Sequence, residues 1–510
     1  MKNKIAKIST AFLLLFALCR CAQWTDIEPK GYNMLQQVSD IDMLFNSTYI
    51  VYADIASKPS VFTNNFYALD LTSMTSMYNL ITQPLDKPLL TACVGWDETI
   101  DRARETETDD LYTTYYGFIG RICNPTILMA DAAEGDREVA NRLKAEAYVL
   151  RAWFHYNLVN YFAKAYNPAT AKEDGGIPYS FETDMLSVPN PKYSVQEVYD
   201  FILADLDAAF ALNSLAAPTN NRMRVNSAFA YAVKAKALMS MRDYDGAYQA
   251  ATASLAIENT IDDYNLTLTF NGTNRFILSR TILSTNEDLF YIEAGWFRYN
   301  GITPELAATV EPGNIFFRHL AKTGAYVLYF GIDGDTFQEA NMYLNPCGLS
   351  TIDMYLTQAE CLIRKGDPTS IQSGVDVLNY IRRHRVAVKE IYEPKLEGYE
   401  ELNPLYIVDP ADYYTSWVTT DINQGIAWLK QMERTENCQG PKYFTSLKRW
   451  NTEEAWKETL TKHLDCVTGS VGNTTPIGSF DLTLRPDSPL WIYPFPSRAI
   501  RFNPNLTQNY

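Results

Sequence analysis

Residues 235–255 read AKALMSMRDYDGAYQAATASL, and this stretch decides the fold. The pair Asp243-Tyr244 lies where a helical hairpin places its turn. Ala247 and Leu255 follow where the second helix needs small and apolar residues to pack on the first. The stretch therefore predicts two antiparallel helices joined by a short turn.

This spacing is that of a tetratricopeptide repeat, and a second copy lies further along the chain. Residues 359–384 repeat the pattern, with Gly366-Asp367 at the turn and apolar residues on one helix face. The match is looser, and it predicts a turn that is longer by several residues.

Two further regions have helical patterns. Residues 143–162 carry apolar side chains at spacings of three and four, which predicts an amphipathic helix that pairs with a helical stretch at 111–133. Residues 194–212 begin with the capping box Ser194-x-x-Glu197. Four hairpin-like regions predict a mainly α fold, a tetratricopeptide-repeat-like helical solenoid in which each unit buries its apolar face on its neighbours.

The pattern changes outside the repeats. Residues 262–350 contain alternating segments such as 288–293, which predicts a strand. Residues 386–425 and 463–510 are rich in Pro, Asp, Tyr and Thr, and we expect them to be ordered but irregular. The predicted architecture is therefore a helical scaffold with an irregular, loop-rich second half that contains short strands.

Residues 1–20 are typical of an export signal. Three lysines precede an apolar run at 8–18, which is shorter than the roughly 20 residues that span a bilayer. Cys19 and Cys21 follow, and a cysteine in this position indicates acylation and a lipid anchor. We predict lipidation at Cys21, because a polar tether at 22–29 starts directly after it. Cys19, or an ordinary cleaved signal followed by a buried cysteine, are the alternatives.

Composition excludes several classes of function. The chain has 510 residues, 47% of them hydrophobic, which is enough for a large core divided into subdomains or repeats. A net charge of -16 argues against nucleic acid and against a polybasic membrane patch. Outside the signal the cysteines form no CxxC pair and have too few histidine neighbours for zinc. We therefore predict no metal, no cofactor and no required disulfide.

The sequence contains no recognisable catalytic apparatus. None of the four histidines lies in a Ser/His/Asp or HExxH motif, and no GxSxG or phosphate-binding glycine loop occurs. His155 lies within an aromatic helical stretch, which favours a structural role. Spacing alone leaves open a pair of carboxylates placed across a sugar, as in a glycosidase. We predict that the protein is not an enzyme.

Several segments, in this order, resemble the SusD/RagB family of the Bacteroidota. The likeness covers nearly the whole chain from residue 21 to 510, and it divides into an N-terminal part to about 260 and a C-terminal part from about 261. Departures occur at 345–353 and at 433–436. The segments that carry the resemblance are 26–31, 145–152, 176–178, 358–360 with 378–382, 447–450, 490–494 and 503–509.

The resemblance implies a function and a location. Proteins of this family are lipoproteins of the outer membrane that work beside a SusC-like TonB-dependent transporter. The chain is thus expected to be lipid-anchored and surface-exposed, and to capture a nutrient, expected to be an oligosaccharide, for that transporter. A surface scaffold of tetratricopeptide repeats, a peptide- or glycopeptide-binding protein and a surface glycoside hydrolase are the alternatives.

Aromatic residues are abundant, with 34 Tyr, 24 Phe and 9 Trp, and they are the natural candidates for sugar contacts. A sugar presents apolar C–H faces and a rim of hydroxyls, so its site needs rings beside polar groups. Two loops outside the repeats offer both: the loop at 95–98, downstream of 64–67, and the loop at 295–300. Tyr414 with Trp417 forms a third group. For each ring, packing in the core is the alternative. The ligand-binding candidates in the two loops are Tyr67, Trp96, Asp97, Trp296, Arg298, Tyr299 and Asn300.

Overall fold

A computed structural model supplies the fold. It describes residues 35–46, 50–51, 59, 62–68, 88–105, 108–181, 189–271, 275–278, 286–294, 300–315, 347–397, 407–470 and 473–510.

Helices dominate these residues. In the first part of the chain they are α1 (Val38–Leu44), α2 (Pro88–Gly95), α3 (Arg102–Glu105), α4 (Asp110–Phe118), a π-helical turn (Ile119–Cys123), α5 (Asn124–Met129), α6 (Arg137–Phe162), α7 (Val195–Ala211), α8 (Ser227–Ser240), α9 (Tyr244–Ile257) and α10 (Tyr264–Thr267). The later helices are α11 (Pro304–Thr309), α12 (Thr351–Arg364), α13 (Pro368–Arg385), α14 (Lys389–Tyr392), α15 (Ile422–Glu436), α16 (Pro441–Trp450) and α17 (Ser497–Phe502).

Local capping determines where several helices begin. The Ser194 hydroxyl accepts from the Glu197 amide at 3.2 Å, and the Glu197 carboxylate accepts from the Ser194 amide at 2.8 Å. The predicted capping box of α7 is therefore confirmed. Asp243 and Asp367 cap α9 and α13 in a related way, because each carboxylate accepts an amide from the first turn of its helix.

The turn between α12 and α13 is shorter than the sequence predicts. α12 ends at Arg364 and α13 begins at Pro368, so only residues 365–367 connect them. Gly366 has a φ of +77°, which lets the chain reverse tightly, and proline suits the first position of a helix. The expectation of a lengthened turn is wrong for this reason.

The helices form the predicted solenoid. α8 packs on α9 and α12 on α13, so the two predicted repeat hairpins are present, and α6 packs on α7. α9 also packs on α12, and α15 packs on both α12 and α13. α4 and α5 lie against α6, which confirms the pairing predicted for 111–133. Each unit buries its apolar side chains on its neighbours and extends one continuous core.

α6 lies at the centre of the core, and His155 is part of its packing. The His155 ring stacks on Tyr179 with centroids 3.6 Å apart. Its Nε2 accepts from the Ser180 amide at 3.1 Å, and its Nδ1 lies 2.8 Å from the Arg151 carbonyl oxygen. Burial lowers the pKa of His155 to about 3, so the ring is neutral near pH 7. The structural role predicted for His155 is confirmed.

The family-like segment 447–450 holds the C-terminal part against the repeats. Arg449 donates two bonds to the Glu360 carboxylate, at 2.6 and 2.7 Å, and the Trp450 indole donates a third at 3.1 Å. Lys448 donates to two carbonyls at the C-terminal end of α6, each at 2.6 Å. Trp450 and Trp491 are buried, so their predicted structural role is also confirmed.

The strands are short except for one hairpin. They are β1 (Ile50–Val51), β2 (Phe66–Ala68), β3 (Gly175–Pro178), β4 (Lys192–Ser194), β5 (Leu268–Asn271), β6 (Arg275–Leu278), β7 (Asp288–Phe290), β8 (Glu293–Ala294), β9 (Asn300–Ile302), β10 (Leu349–Ser350), β11 (Leu460–Ser470) and β12 (Asn473–Leu484). The pairs are β1 with β8 in parallel, and β2–β9, β3–β4, β5–β6, β7–β10 and β11–β12 antiparallel.

Two strand predictions need correction. The strand expected at 288–293 is interrupted after Phe290, where the Tyr291 amide leaves the sheet and donates to the Arg222 carbonyl at 2.7 Å. The region from 463 is not irregular throughout, because β11 and β12 form a long hairpin across it. Pro476 and Gly478 weaken its strand signal in the sequence.

Two further features of the described residues concern the cysteines and membrane crossing. Among the cysteines whose side chains the structure describes, none forms a disulfide. Across the described ranges, no helix combines the length and the apolar character that crossing a bilayer requires.

Candidate functional site

The first feature of interest is a short antiparallel pair formed by β2 and β9, which we call the β2–β9 ladder. Its register places Tyr67 opposite Gly301 and Ala68 opposite Asn300. The two loops selected from the sequence are far apart along the chain, yet this pairing makes their backbones neighbours. Long-range pairing therefore brings together the backbone of two candidate residues, Tyr67 and Asn300.

Asparagine and threonine side chains hold the residues just beyond the Phe66–Ile302 end of the ladder, which we call its base. The Thr303 hydroxyl donates to the Asn64 carbonyl at 2.6 Å, and the Thr303 amide donates to the Asn65 carbonyl at 3.1 Å. The Asn64 amide group donates to the Thr461 carbonyl at 2.6 Å, which ties the ladder to β11. The Asn65 amide group donates to the Cys438 carbonyl at 3.0 Å. All of these side chains except that of Thr461 are buried.

A buried arginine completes this base. The Arg434 guanidinium donates to Asn65 Oδ1 at 2.8 Å and to Asn64 Oδ1 at 3.1 Å. Arg434 lies in α15, within the segment 433–436 where the sequence departs from the family pattern. Since the side chain is only 6% exposed, its hydrogen bonds hold the ladder firmly against the helical scaffold.

The remaining candidates of these two loops are placed differently. Trp96 is only 7% exposed, its indole donates to the Phe62 carbonyl at 2.9 Å, and the Lys462 ammonium lies 4.4 Å from the ring centroid. Core packing, the alternative left open for this ring, therefore describes Trp96 better than a ligand contact. Asp97 accepts from the Thr99 amide at 2.8 Å and stabilises a local turn.

Other candidates cannot be placed with their side chains. Trp296, Arg298 and Tyr299 lie outside the described residues, as does Cys21. For Tyr67 and Asn300 the structure describes the backbone alone.

A second aromatic surface includes the third group predicted from the sequence. Trp417 stacks on Trp428 of α15 with ring centroids 4.6 Å apart and an interplanar angle of 13°. The Arg382 guanidinium lies 3.6 Å from the Trp417 centroid and 5.4 Å from the Tyr414 centroid. Both tryptophans are partly buried, and Val418 beside them is 75% exposed. We call this set the Trp417 surface.

α13 holds the segment that carries this surface. Asn379 accepts from the Trp417 amide at 2.8 Å and donates to the Trp417 carbonyl at 2.8 Å. Arg382 is paired with Glu311 at 2.7 Å and donates to the Thr415 carbonyl at 2.9 Å. Trp428 was not predicted from the sequence, because nothing in its own helix indicates which ring it meets.

The fold also assembles a contact that sequence spacing did not reveal. In the β11–β12 hairpin, His463 Nδ1 lies 2.7 Å from Asp481 Oδ1, and Ser479 Oγ lies 3.3 Å from His463 Nε2. The contacts run from serine to histidine to aspartate, as they do in a Ser-His-Asp triad. The Asp481 side chain, however, is 92% exposed. A catalytic triad relies on a buried aspartate and on donors for an oxyanion. We interpret the contact as a polar cross-strand group on a solvated face.

Comparison with known proteins identifies the family. A family model described as "Starch-binding associating with outer membrane" matches residues 26–239, and the model of the SusD family matches residues 351–510. The chain belongs to the SusD family. SusD-like proteins are sugar- and glycan-binding proteins, and the family is associated with the outer membrane.

Solved structures share the SusD fold with this chain. A putative sugar binding protein from Bacteroides vulgatus has 16% identity and a TM-score of 0.58, with 93% of this chain and 98% of that chain covered. A SusD superfamily protein from Bacteroides thetaiotaomicron has 15% identity and a TM-score of 0.57, with 93% and 100% covered. A SusD-like carbohydrate binding protein from Bacteroides vulgatus has 14% identity and a TM-score of 0.56, with 92% and 97% covered. No curated protein sequence matches this SusD-family chain significantly.

Proposed function

We propose that this chain is a surface lipoprotein that binds an oligosaccharide and delivers it to a SusC-like TonB-dependent transporter in the outer membrane. Family membership supports glycan binding. The signal segment and the tether after Cys21 support a lipid anchor and surface exposure. The division of the chain near residue 260 also remains a prediction.

The observation that carries the ligand proposal is the β2–β9 ladder. Tyr67 lies opposite Gly301, so the residue directly across the ladder offers no side chain to cover the tyrosine. The segment 296–299 leads directly into β9 and supplies three aromatic rings and a guanidinium. We propose that Tyr67, Trp296, Arg298, Tyr299 and Asn300 form the glycan surface.

The base of the ladder favours such a role. Binding is tighter when the site is already ordered, because less conformational freedom is lost when the ligand arrives. Arg434, Asn64 and Asn65 form that ordered base with buried hydrogen bonds. A rigid base beneath polar and aromatic groups is suited to orienting a ligand that has few charges of its own.

The Trp417 surface is the alternative position for the ligand in the same function. Arg382 and Trp428 already contact the Trp417 ring, so contacts within the chain fix the position of the ring. Its apolar edge and Val418 nevertheless offer a partly exposed stacking area. This surface is separate from the ladder, and substitutions can therefore distinguish the two.

Calorimetric titration with a panel of oligosaccharides tests the proposal. A platform ring should contribute roughly 1 to 3 kcal/mol, so Trp296→Ala should weaken binding about 5- to 150-fold without lowering stability. Trp96→Ala serves as the contrasting variant, because loss of a core tryptophan should cost about 3 to 5 kcal/mol of stability. Unchanged affinity in both Trp296→Ala and Tyr67→Ala would reject the ladder as the site.

Delivery requires a second experiment. Gentle detergent extraction of outer membranes and purification of the tagged chain should recover a large TonB-dependent transporter. A lasting complex buries a large interface and should survive moderate salt. Recovery of the chain alone under these conditions would argue against the transporter partner while leaving glycan binding intact.

A further inference from the structure

A small cavity lies between two helices of the repeats and α16. Its volume is about 20 Å³, which is room for one water-sized occupant. Its walls come from α6, α8 and α16, and they include Trp153, Lys236, Lys442 and Ser446. The cavity is separate from both surfaces described above.

Two hydrogen-bond donors that line this cavity have no acceptor. The Trp153 indole N–H is buried and has no hydrogen-bond partner, although Trp153 is only 2% exposed. No hydrogen bond or ion pair joins the Lys236 ammonium to any residue that the structure describes. An unpaired buried donor is costly, so the Trp153 indole requires an occupant that accepts hydrogen bonds, and the partly exposed Lys236 ammonium can donate to the same occupant.

The neighbouring carboxylates already have other partners. Asp353 is paired with Lys442 at 3.0 Å, and the Glu360 carboxylate takes both bonds from Arg449. Glu433 accepts from the Ser446 hydroxyl at 2.7 Å. Although Glu433 and Asp353 attract Lys236 electrostatically, neither lies in direct contact with it in the described structure. Among the cations that line the cavity, Lys236 is therefore the one that no carboxylate of the described residues contacts directly.

Glu433 attracts Lys236 more strongly than any other group does, although it does not touch the ammonium. Burial raises the pKa of Glu433, and the nearby Asp353 and Glu360 carboxylates act in the same direction while Lys236 opposes them. Burial therefore favours the uncharged form of Glu433, the carboxyl group that most strongly attracts Lys236.

The start of α16 adds positive potential at the same place. Gly440 precedes this helix and provides no side-chain cap, and the first residues, Pro441 and Lys442, line the cavity. Helix N-termini carry partial positive charge and attract anions. This helix end therefore acts together with the two unpaired donors.

We propose that the cavity is a binding site for one monoatomic halide anion, with chloride as its ligand. Chloride accepts hydrogen bonds and donates none, which matches walls that present unpaired donors. Bound chloride would connect α6 to α8 and stabilise the junction between repeats.

Urea unfolding in sodium chloride, compared with sodium gluconate at equal ionic strength, tests the site. Chloride at ten times its dissociation constant should raise the folding equilibrium constant about 11-fold, and the constant should go on rising in proportion to the chloride concentration above that point. Lys236→Met should remove the difference between the salts. Lys234→Met is the matched control, because Lys234 lies on the same helix but pairs with Asp207 at 2.8 Å, away from the cavity. That variant should keep the chloride effect.

Crystals grown in sodium bromide provide a test that needs no variant. An anomalous bromine peak within hydrogen-bonding distance of Lys236 Nζ and Trp153 Nε1 is expected. Equal unfolding curves in chloride and gluconate would overturn the proposal. So would a crystal map with water alone in the cavity, even if Lys236→Met fails to fold.

Discussion

Replacement of Arg434 by methionine should disturb the base of the β2–β9 ladder. The change removes the donors to Asn65 Oδ1 and Asn64 Oδ1. Each buried acceptor left without a donor costs about 1–3 kcal/mol, so the two together predict a loss of about 2–6 kcal/mol in the free energy of unfolding. Methionine fills much of the same space, which limits any added cost of a cavity.

The same variant should weaken glycan binding if the ladder carries the ligand. A base that no longer holds the ladder in one arrangement makes the protein lose more conformational freedom on binding. We expect the affinity to fall about tenfold, equivalent to about 1.4 kcal/mol. Urea unfolding measures the first effect, and calorimetric titration well below the melting temperature measures the second.

Arg382→Met is the matched control for this experiment. Arg382 holds the Trp417 surface in the same way that Arg434 holds the ladder, with a buried guanidinium and bonds to a loop. It should lower stability but leave glycan affinity unchanged. The reasoning is refuted if Arg434→Met binds glycan normally, and the Trp417 surface becomes the preferred site if Arg382→Met loses binding.

Three further predictions concern the anchor, the core and the hairpin. Cys21→Ala should abolish labelling by a clickable fatty acid and release the protein from membranes, and persistence of the label unless Cys19 is changed would move the site to Cys19. Glu360→Gln should cost about 3–5 kcal/mol at pH 7, because it leaves the buried Arg449 without a counter-charge. Burial would raise the pKa of Glu360, but Arg449 and Arg364 hold it well below its usual value of 4.5. The contribution is therefore complete above about pH 4.5 and is lost as the pH falls below it, so chemical unfolding at acid pH should show a smaller difference from the native protein. Ser479 should not react with a fluorophosphonate probe, and labelling that Ser479→Ala abolishes would instead indicate a hydrolase.

Part of the fold could be predicted because its signals are local. The Ser194–Glu197 capping box and the turn at Asp243 act over three or four residues, and the sequence displays them directly. The repeated apolar spacing then requires each hairpin to bury its face on a neighbour, which leads to a solenoid. The resemblance to the SusD family rested on the order of such short segments along the chain.

Other features depend on partners that are distant in sequence. The β11–β12 hairpin contains Pro476 and Gly478, which obscure its alternation, and only the pairing of two strands makes it visible. That pairing also brings Ser479, His463 and Asp481 together. In the same way, Trp428 became part of the Trp417 surface only when α15 packed on α13.

The sequence by itself determined the helical hairpins, their solenoid, the acidic character of the chain and the family to which it belongs, because these follow from composition and from neighbours a few residues apart. Only the tertiary structure decided that Trp96 is a core residue, that β2 lies beside β9, and that Lys236 and Trp153 face one cavity. The burial of a ring or an ammonium group depends on which distant segments pack around it. That packing is a property of the whole core, and no local pattern around Trp96, Lys236 or Trp153 encodes it.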